Sequence, residues 1–261
     1  MTGGCLSVPN SLFNGCTPRL SHLKLCNFMI NWKSRLFIGL RFLEIHAPSN
    51  SARLNLATWV DASDKMSCLT TLALHSASPI APPLPFDVKR TATLPSLTHL
   101  ETLASVKDCA VALAHLDLPA LTILCITAIT DSYDFKAPLP YVARHAHGPQ
   151  DAQPLQSVLI RSDRDHADIL AWPVPDIDTE VQDPATLLVA TLPARVTLSF
   201  PNLGGDTPTI HIGMAMAMAA LPLESTVTFV AQDFKNPLED VSWLCNLLKW
   251  PRLRRMRLWA L

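Results

Sequence analysis

The chain of 261 residues is long enough for a large buried core, and its formal net charge is −1, from 21 Lys and Arg against 22 Asp and Glu. This balance excludes a general electrostatic attraction to nucleic acid or to an anionic membrane surface. Twenty-two prolines against eight glycines favour many stiff connections and argue against a glycine-rich phosphate-binding loop.

The sequence has the features expected of a soluble intracellular chain, cytoplasmic or nuclear. The start, Met1 to Cys5, lacks both the basic region and the apolar core of a signal peptide. The apolar run 212–223 is shorter than the roughly 20 residues that a bilayer span requires. Seven scattered cysteines without a CxxC pair are typical of reduced thiols in an intracellular protein.

From residue 18 onward, one pattern recurs: a slot residue (position one) is followed by apolar residues at positions four and six. The nine slots are Leu20, Leu40, Leu69, Leu97, Leu121, Leu155, Arg195, Glu224 and Leu253. Position four is Leu23, Leu43, Leu72, Leu100, Leu124, Val158, Leu198, Val227 and Met256, and position six is Leu25, Ile45, Leu74, Thr102, Ile126, Ile160, Phe200, Phe229 and Leu258. Seventeen of these eighteen residues are apolar, whereas a chain that is 49% apolar gives about nine by chance.

Two further marks support the pattern. Proline stands two residues before the slot in six of the nine units, and the slots recur every 20 to 40 residues. L-x-x-L-x-L at such a period is the core of a leucine-rich repeat. The sequence therefore predicts an α/β fold: an irregular leucine-rich-repeat solenoid over residues 18–261, after a lead-in of residues 1–17. We expect a parallel sheet on the concave face and helices or irregular spacers on the convex face. Ordinary α/β alternation is the alternative.

The spacers between units are predicted in chain order. Apolar residues at helical spacing indicate helices near 56–66, 214–223 and 238–248. Proline-rich and mixed-charge stretches indicate long loop insertions near 131–153 and 161–184. The first repeat begins almost at once and the last unit has no polar cap, so we expect a chain truncated at both ends.

No active site is recognisable. His145-x-His147 offers two metal ligands, but no second pair lies nearby, which favours a solvated loop. The run from Arg161 to Asp168, which includes His166, favours a self-neutralising exposed surface over acid–base catalysis. Nucleophile-elbow, P-loop, zincin and dinucleotide motifs are absent. We therefore expect no catalytic, cofactor-binding or metal-binding residues, and no cofactor.

Positions three, five and seven of each strand point away from the predicted core and offer a surface for a protein partner. Its first units are rich in histidine and charge, and its last is basic and aromatic. The predicted contact residues are His22, Lys24, Phe42, Glu44, His46, His75, His99, Glu101, Arg255, Arg257 and Trp259. A solvated face with an ordinary basic terminus is the alternative. Four histidines on one face would make binding differ between pH 5.5 and 7.5.

Several short stretches resemble the repeat region of the F-box proteins of mushroom-forming fungi. Residues 12–25 read LFNGCTPRLSHLKL and are followed by Ile30-Asn31-Trp32 and by LRFLEI at 40–45. LDLPAL at 116–121 and WPRL at 250–253 have the same character. The similarity is best over about residues 12–130 and recurs near 238–261.

The resemblance implies a function for the repeats. In that family the F-box binds the Skp adaptor of a cullin–RING ubiquitin ligase, and the repeats present the substrate. Residues 1–17 cannot contain an F-box, so the resemblance implies the substrate-recognition part only, with adaptor and cullin binding conditional on an F-box upstream. We predict a protein-binding domain without enzymatic activity, with no nucleic-acid or membrane partner. A repeat scaffold unrelated to ubiquitin is the second hypothesis, and an unrecognised hydrolase is the third.

Overall fold

Ten strands form one large sheet in the structure, a computed structural model that describes residues 6–7, 20–29, 31–46, 55–79, 90–129, 137–162, 166–175, 193–201, 207–232 and 250–259. In chain order the strands are β1 (His22–Cys26), β2 (Phe42–His46), β3 (Thr71–His75), β4 (His99–Ser105), β5 (Ile123–Ile129), β6 (Ser157–Ser162), β7 (His166–Trp172), β8 (Val196–Pro201), β9 (Thr228–Gln232) and β10 (Arg255–Trp259). Their spatial order is β10-β9-β6-β7-β8-β5-β4-β3-β2-β1. The predicted α/β class with a largely parallel sheet is confirmed.

Strands β1 to β5 are parallel and follow one another in both sequence and space. Their predicted register is confirmed, because Leu23, Leu43, Leu72, Leu100 and Leu124 are successive neighbours across the sheet. All but Leu23 are at most 2% exposed. The apolar positions of the L-x-x-L-x-L pattern therefore form one buried row, as a shared core requires.

The order of the strands changes after β5. Strand β8 pairs with β5, while β6 lies two strands further along, beside β9. Between them β7 runs antiparallel to both neighbours. The prediction of a loop insertion over 161–184 is therefore wrong for residues 161–162, which end β6, and for residues 166–172, which form β7. Its alternate residues Ala167, Ile169 and Ala171 are fully buried, so the apolar alternation outweighs the charges at the start of the strand.

The register of the seventh and eighth units differs from the predicted one by two residues. Val196, not Leu198, is the neighbour of Leu124, and Phe229, not Val227, is the neighbour of Met256. Because side chains alternate along a strand, a shift of two leaves each residue on its predicted face. Arg195 and Glu224 were assigned to position one only because the predicted register of these two units was off by two residues.

Four α-helices of the described residues pack on the leucine side of the sheet, which we call the core face. They are α1 (Leu56–Ser63), α2 (Val106–Ala114), α3 (Leu139–Ala146) and α4 (Thr207–Ala220). Helix α1 confirms the prediction near 56–66, and α4 starts earlier than the predicted helix near 214–223. The third predicted helix, near 238–248, lies outside the described residues.

Helix α3 occupies part of the predicted loop insertion 131–153, so that prediction is wrong for residues 139–146. Pro140 stands in its first turn, where a missing N–H costs no hydrogen bond. Arg144 on this helix donates hydrogen bonds to the carbonyls of Leu113 and Leu116, at 3.1 and 2.8 Å. The guanidinium thereby ties α3 to the end of α2 and to the residues that follow it. Helix α3 contacts both α2 and α4 and so connects the two halves of the core.

The other side of the sheet, which we call the second face, carries positions three, five and seven. Near its middle, Trp172, Leu159 and Val230 form a separate apolar cluster. The segment after β7 lies over it, since the hydroxyls of Ser157 and Thr228 donate to the carbonyls of Val174 and Pro175, at 2.5 and 2.6 Å. Within the described residues, no helix is long and apolar enough to cross a bilayer.

Candidate functional site

The predicted contact residues on β1 to β4 lie on the second face, in the predicted rows. Lys24 is the register neighbour of Glu44, and His46 is the neighbour of His75. Glu101 is in the same row as Glu44, with Ala73 between them. Cross-strand neighbours lie about 4.8 Å apart, so these five side chains can meet.

Lys24, Glu44, His46, His75 and Glu101 form a connected group that we call the polar cluster. Glu44 Oε1 is at its centre, 2.8 Å from Lys24 Nζ and 2.5 Å from His46 Nε2. A carboxylate only accepts hydrogen bonds, so His46 Nε2 carries the hydrogen in this contact. Glu44 is therefore held by a donor on its own strand and by another on β1.

The two histidines extend the cluster to the third and fourth strands. The rings of His46 and His75 are stacked, with centroids 4.2 Å apart and planes inclined by 23°. His75 Nε2 lies 3.4 Å from Glu101 Oε1. Both histidines and both glutamates are partly buried, whereas Lys24 is exposed. The cluster thus spans four strands and remains accessible from the second face.

Electrostatics within the cluster favour the ionised forms of its charged pair. The hydrogen bond from His46, followed by that from Lys24, lowers the pKa of Glu44 below its ordinary value. The hydrogen bond to Glu44 raises the pKa of Lys24. The cluster therefore carries one firm positive charge and a carboxylate that stays ionised below its normal range.

His22, Phe42 and His99 lie in the row nearest the start of the strands. The rings of His22 and Phe42 are stacked, with centroids 5.8 Å apart. Phe42 and His99 are half-buried and His22 is exposed. The structure thus places a stacked pair beside the polar cluster on the first two strands.

Arg255, Arg257 and Trp259 lie on β10, at the opposite edge of the sheet. Nine inter-strand spacings separate β10 from β1, about 43 Å along the sheet. The structure does not bring them together with the polar cluster, so the predicted residues form two surfaces. The reason is that the units lie side by side in one open sheet, so the first and the last of the nine units are at opposite edges.

The two other histidine arrangements have different environments. His145 lies in the core, 8% exposed, where burial and the neighbouring Arg144 lower its pKa to about 4. The predicted solvated loop is therefore wrong for His145, because that residue belongs to α3. Arg161 Nη2 and Asp168 Oδ2 pair across β6 and β7 at 2.6 Å. The two charges neutralise each other as expected, but Asp168 is buried rather than exposed.

Donor atoms with the spacing of metal ligands occur in the polar cluster. One ligand atom each from Glu44, His46 and His75 lie within 4.8 Å of one another. Two imidazoles and a carboxylate suit a borderline metal ion such as zinc. A motif search along the chain does not find this group, because its members come from different repeats. The signal was present in position seven, where His46 and His75 occupy adjacent strands.

Comparison with known proteins gives no relative: the chain matches no protein-family model, no curated protein and no solved structure.

Proposed function

We propose that the chain is an irregular leucine-rich-repeat solenoid whose second face binds a protein partner. The support for the repeat fold is the row of buried leucines on β1 to β5, which follow one another in sequence and space. The support for binding is the polar cluster. Four adjacent strands present ionisable side chains that contact one another, all but Lys24 partly buried, on the face of the sheet opposite the core.

This cluster is better suited to recognition than a plain solvated surface. Lys24, Glu44 and His46 are already fixed in place by contacts of 2.8 and 2.5 Å, so less side-chain freedom is lost when a partner binds. Glu101 is the more exposed carboxylate, at 44% of its side-chain surface. With two carboxylates against one lysine, the cluster favours a partner segment that presents a basic side chain.

Within this proposal, the partner is the substrate of an F-box-type ubiquitin-ligase receptor, and the chain has no catalytic activity of its own. The support is the resemblance of residues 12–130 to fungal F-box repeats. The scaffold hypothesis proposes the same binding surface. The two hypotheses therefore differ in whether the bound partner is degraded.

A charge-reversal experiment tests the binding surface. Tagged wild-type chain and the variant Glu44→Lys/Glu101→Lys are used to capture partners from fungal extract, with Lys107→Glu on helix α2 as a matched control. We expect proteins that wild type and the control retain and the double variant loses. Identical partners for all three proteins would contradict the proposal. Loss of partners from Arg255→Glu/Arg257→Glu alone would move the binding surface to β10.

A second measurement addresses the ubiquitin hypothesis. If the partner is a ligase substrate, depletion of the full-length protein lengthens the partner's half-life. An unchanged half-life favours the scaffold hypothesis and leaves the binding surface intact.

A further inference from the structure

Two adjacent strands bring three metal-ligating groups together on the second face. Glu44 and His46 stand at positions five and seven of β2, so their side chains project to the same side. His75 is the register neighbour of His46 on β3. The pairing of two strands therefore assembles a His-His-Glu set without any flexible loop.

From this arrangement we propose that Glu44, His46 and His75 bind a zinc ion. Their ligand atoms lie within 4.8 Å of one another. Ligands at about 2.0–2.1 Å from a tetrahedral zinc ion are about 3.3 Å apart, so no pair of ligand atoms has to approach by more than about 1.5 Å to close the site. The ion takes the place of the hydrogen that His46 Nε2 shares with Glu44 Oε1, and the imidazole carries its hydrogen on Nδ1 instead.

Neighbouring groups provide the remaining coordination and orientation. Glu101 Oε1 lies 3.4 Å from His75 Nε2, close to the separation of two ligands of one zinc ion. Glu101 or a water molecule can therefore occupy the fourth position. Lys24 bonds Glu44 Oε1 at 2.8 Å and fixes the orientation of the carboxylate, in the way that outer partners orient metal ligands.

The chemistry of the donors selects the class of ion. Imidazole nitrogens favour zinc and its transition-metal neighbours, whereas calcium and magnesium prefer sets made of oxygen alone. A bound ion would tie β2 to β3 on the second face. It would also stabilise the folded chain, because the unfolded chain does not hold the three groups together.

The experiment measures zinc binding to the full chain, without a histidine tag and with its thiols kept reduced. Isothermal titration compares wild type with His75→Gln and Glu44→Gln. His22→Gln is the matched control, since His22 lies on the same face one strand away. We expect one zinc ion per wild-type chain, at least a tenfold weaker affinity in the two ligand variants, and wild-type affinity in the control. Magnesium and calcium should not compete.

A measurement on the wild-type chain does not depend on how the variants fold. Nitrogen-15 spectra of the histidine rings should show zinc-induced shifts of the Nε2 signals of His46 and His75, with His22 and His99 unchanged. Wild-type affinity in His75→Gln, an equal loss in His22→Gln, or the absence of zinc binding would overturn the proposal. Because no partner is present in these experiments, their failure would leave the proposed protein-binding function untouched.

Discussion

The first half of the sheet (β1 to β4) and the second half (β6 to β9) share one core face but differ on their second face. From β1 to β4 the second face is polar and partly exposed, and there Glu44 contacts His46 while Glu101 lies 3.4 Å from His75. On β6, β7 and β9 its middle is apolar and covered, with Leu159, Trp172 and Val230 in one cluster. Strands of one sheet are thus buried on one side in the first half, whereas β6 and β9 are buried on both sides in the middle of the second.

The sequence of each strand accounts for this difference. Strands β2 and β4 alternate buried and half-buried residues, which is typical of a strand with one wet side. By contrast, residues 158–160 and 229–231 are consecutive buried apolar residues, as in strands covered on both faces. Without a cover, the apolar side chains of these residues on the second face would form an exposed patch. The segment after β7 shields them from solvent. The first half needs no cover, which leaves its second face available for binding.

Truncation of Trp172 should show the largest contrast between the halves. Trp172 is 5% exposed, so Trp172→Ala should lower the free energy of unfolding by about 3–5 kcal/mol. Phe42→Ala is the matched control in the same register row of the first half. Phe42 is half-buried and should cost about 1 kcal/mol, mainly its stacking on His22. Urea denaturation measures both, and equal losses would show that the second face is not divided as described.

The free energy of unfolding should depend on pH through His145, which lies on α3, the helix that connects the two halves of the core. Its pKa is lowered to about 4, so the unfolded chain, with an ordinary value of about 6.5, binds a proton first as the pH falls. This contribution to stability is complete above about pH 6.5 and declines between 6.5 and 4. From pH 7 to pH 5 the loss is about 2 kcal/mol by this linkage. The variant His145→Gln should lose that part of the pH dependence in urea titrations at the two pH values; an unchanged slope would contradict the buried neutral histidine.

Removal of the Ser157 hydroxyl should weaken the cover of the second half. Ser157 is fully buried and donates to Val174 O at 2.5 Å, so Ser157→Ala should cost about 1 kcal/mol. Hydrogen exchange should also speed up locally at the amide of Val174, which lies between two prolines. Ser21→Ala, on the exposed first half, is the control, and exchange there should be unaffected. A global rise in exchange without local change would show that the segment is held by other contacts.

The smallest effect is expected in the polar cluster. Glu44→Gln should change the free energy of unfolding at pH 7 by about 0–1 kcal/mol, because the pair with Lys24 is partly exposed. The lowered pKa of Glu44 means that its stabilising contribution is present above the unfolded value and is lost as the pH falls through the folded one. Carbon-13 titration of the carboxyl group, with chelator present, should show this lowered pKa in wild type. In Lys24→Met the pKa should move toward its ordinary value, and no movement would contradict the contact.

The first half of the fold could be predicted from the sequence, and the second could not. Leu43, Leu72, Leu100 and Leu124 recur every 24 to 29 residues because each strand pairs with the preceding one. The spacing of apolar residues indicates where strands lie along the chain, but not which strands pair. The interchanged positions of β6 and β8 in the sheet could therefore not be predicted from it. Helix α2 was missed because nearly every residue of it is buried, and a helix buried all round has no apolar stripe.

For the candidate site, the sequence predicted the rows but not the contacts. Alternation along each strand placed Glu44, His46 and His75 on one face, and the strand pairing agrees. The metal-binding geometry depends on the rotamers and on the closeness of neighbouring strands, which no single repeat contains. Thr102, the only polar residue among the predicted apolar positions, shows the same limit: its hydroxyl lies 3.6 Å from Cys109 Sγ on α2.

The inserted antiparallel strand has a consequence for synthesis on the ribosome. Strands β1 to β5 can pair one after another as the chain emerges, since each finds its neighbour already in place. Strand β6 then emerges before any of its neighbours, and the free edge of β5 waits until β8 appears. Pairing of successive strands is therefore interrupted after residue 129, and the backbone N–H and C=O groups on the edge of β5 await a partner until β8 has been synthesised.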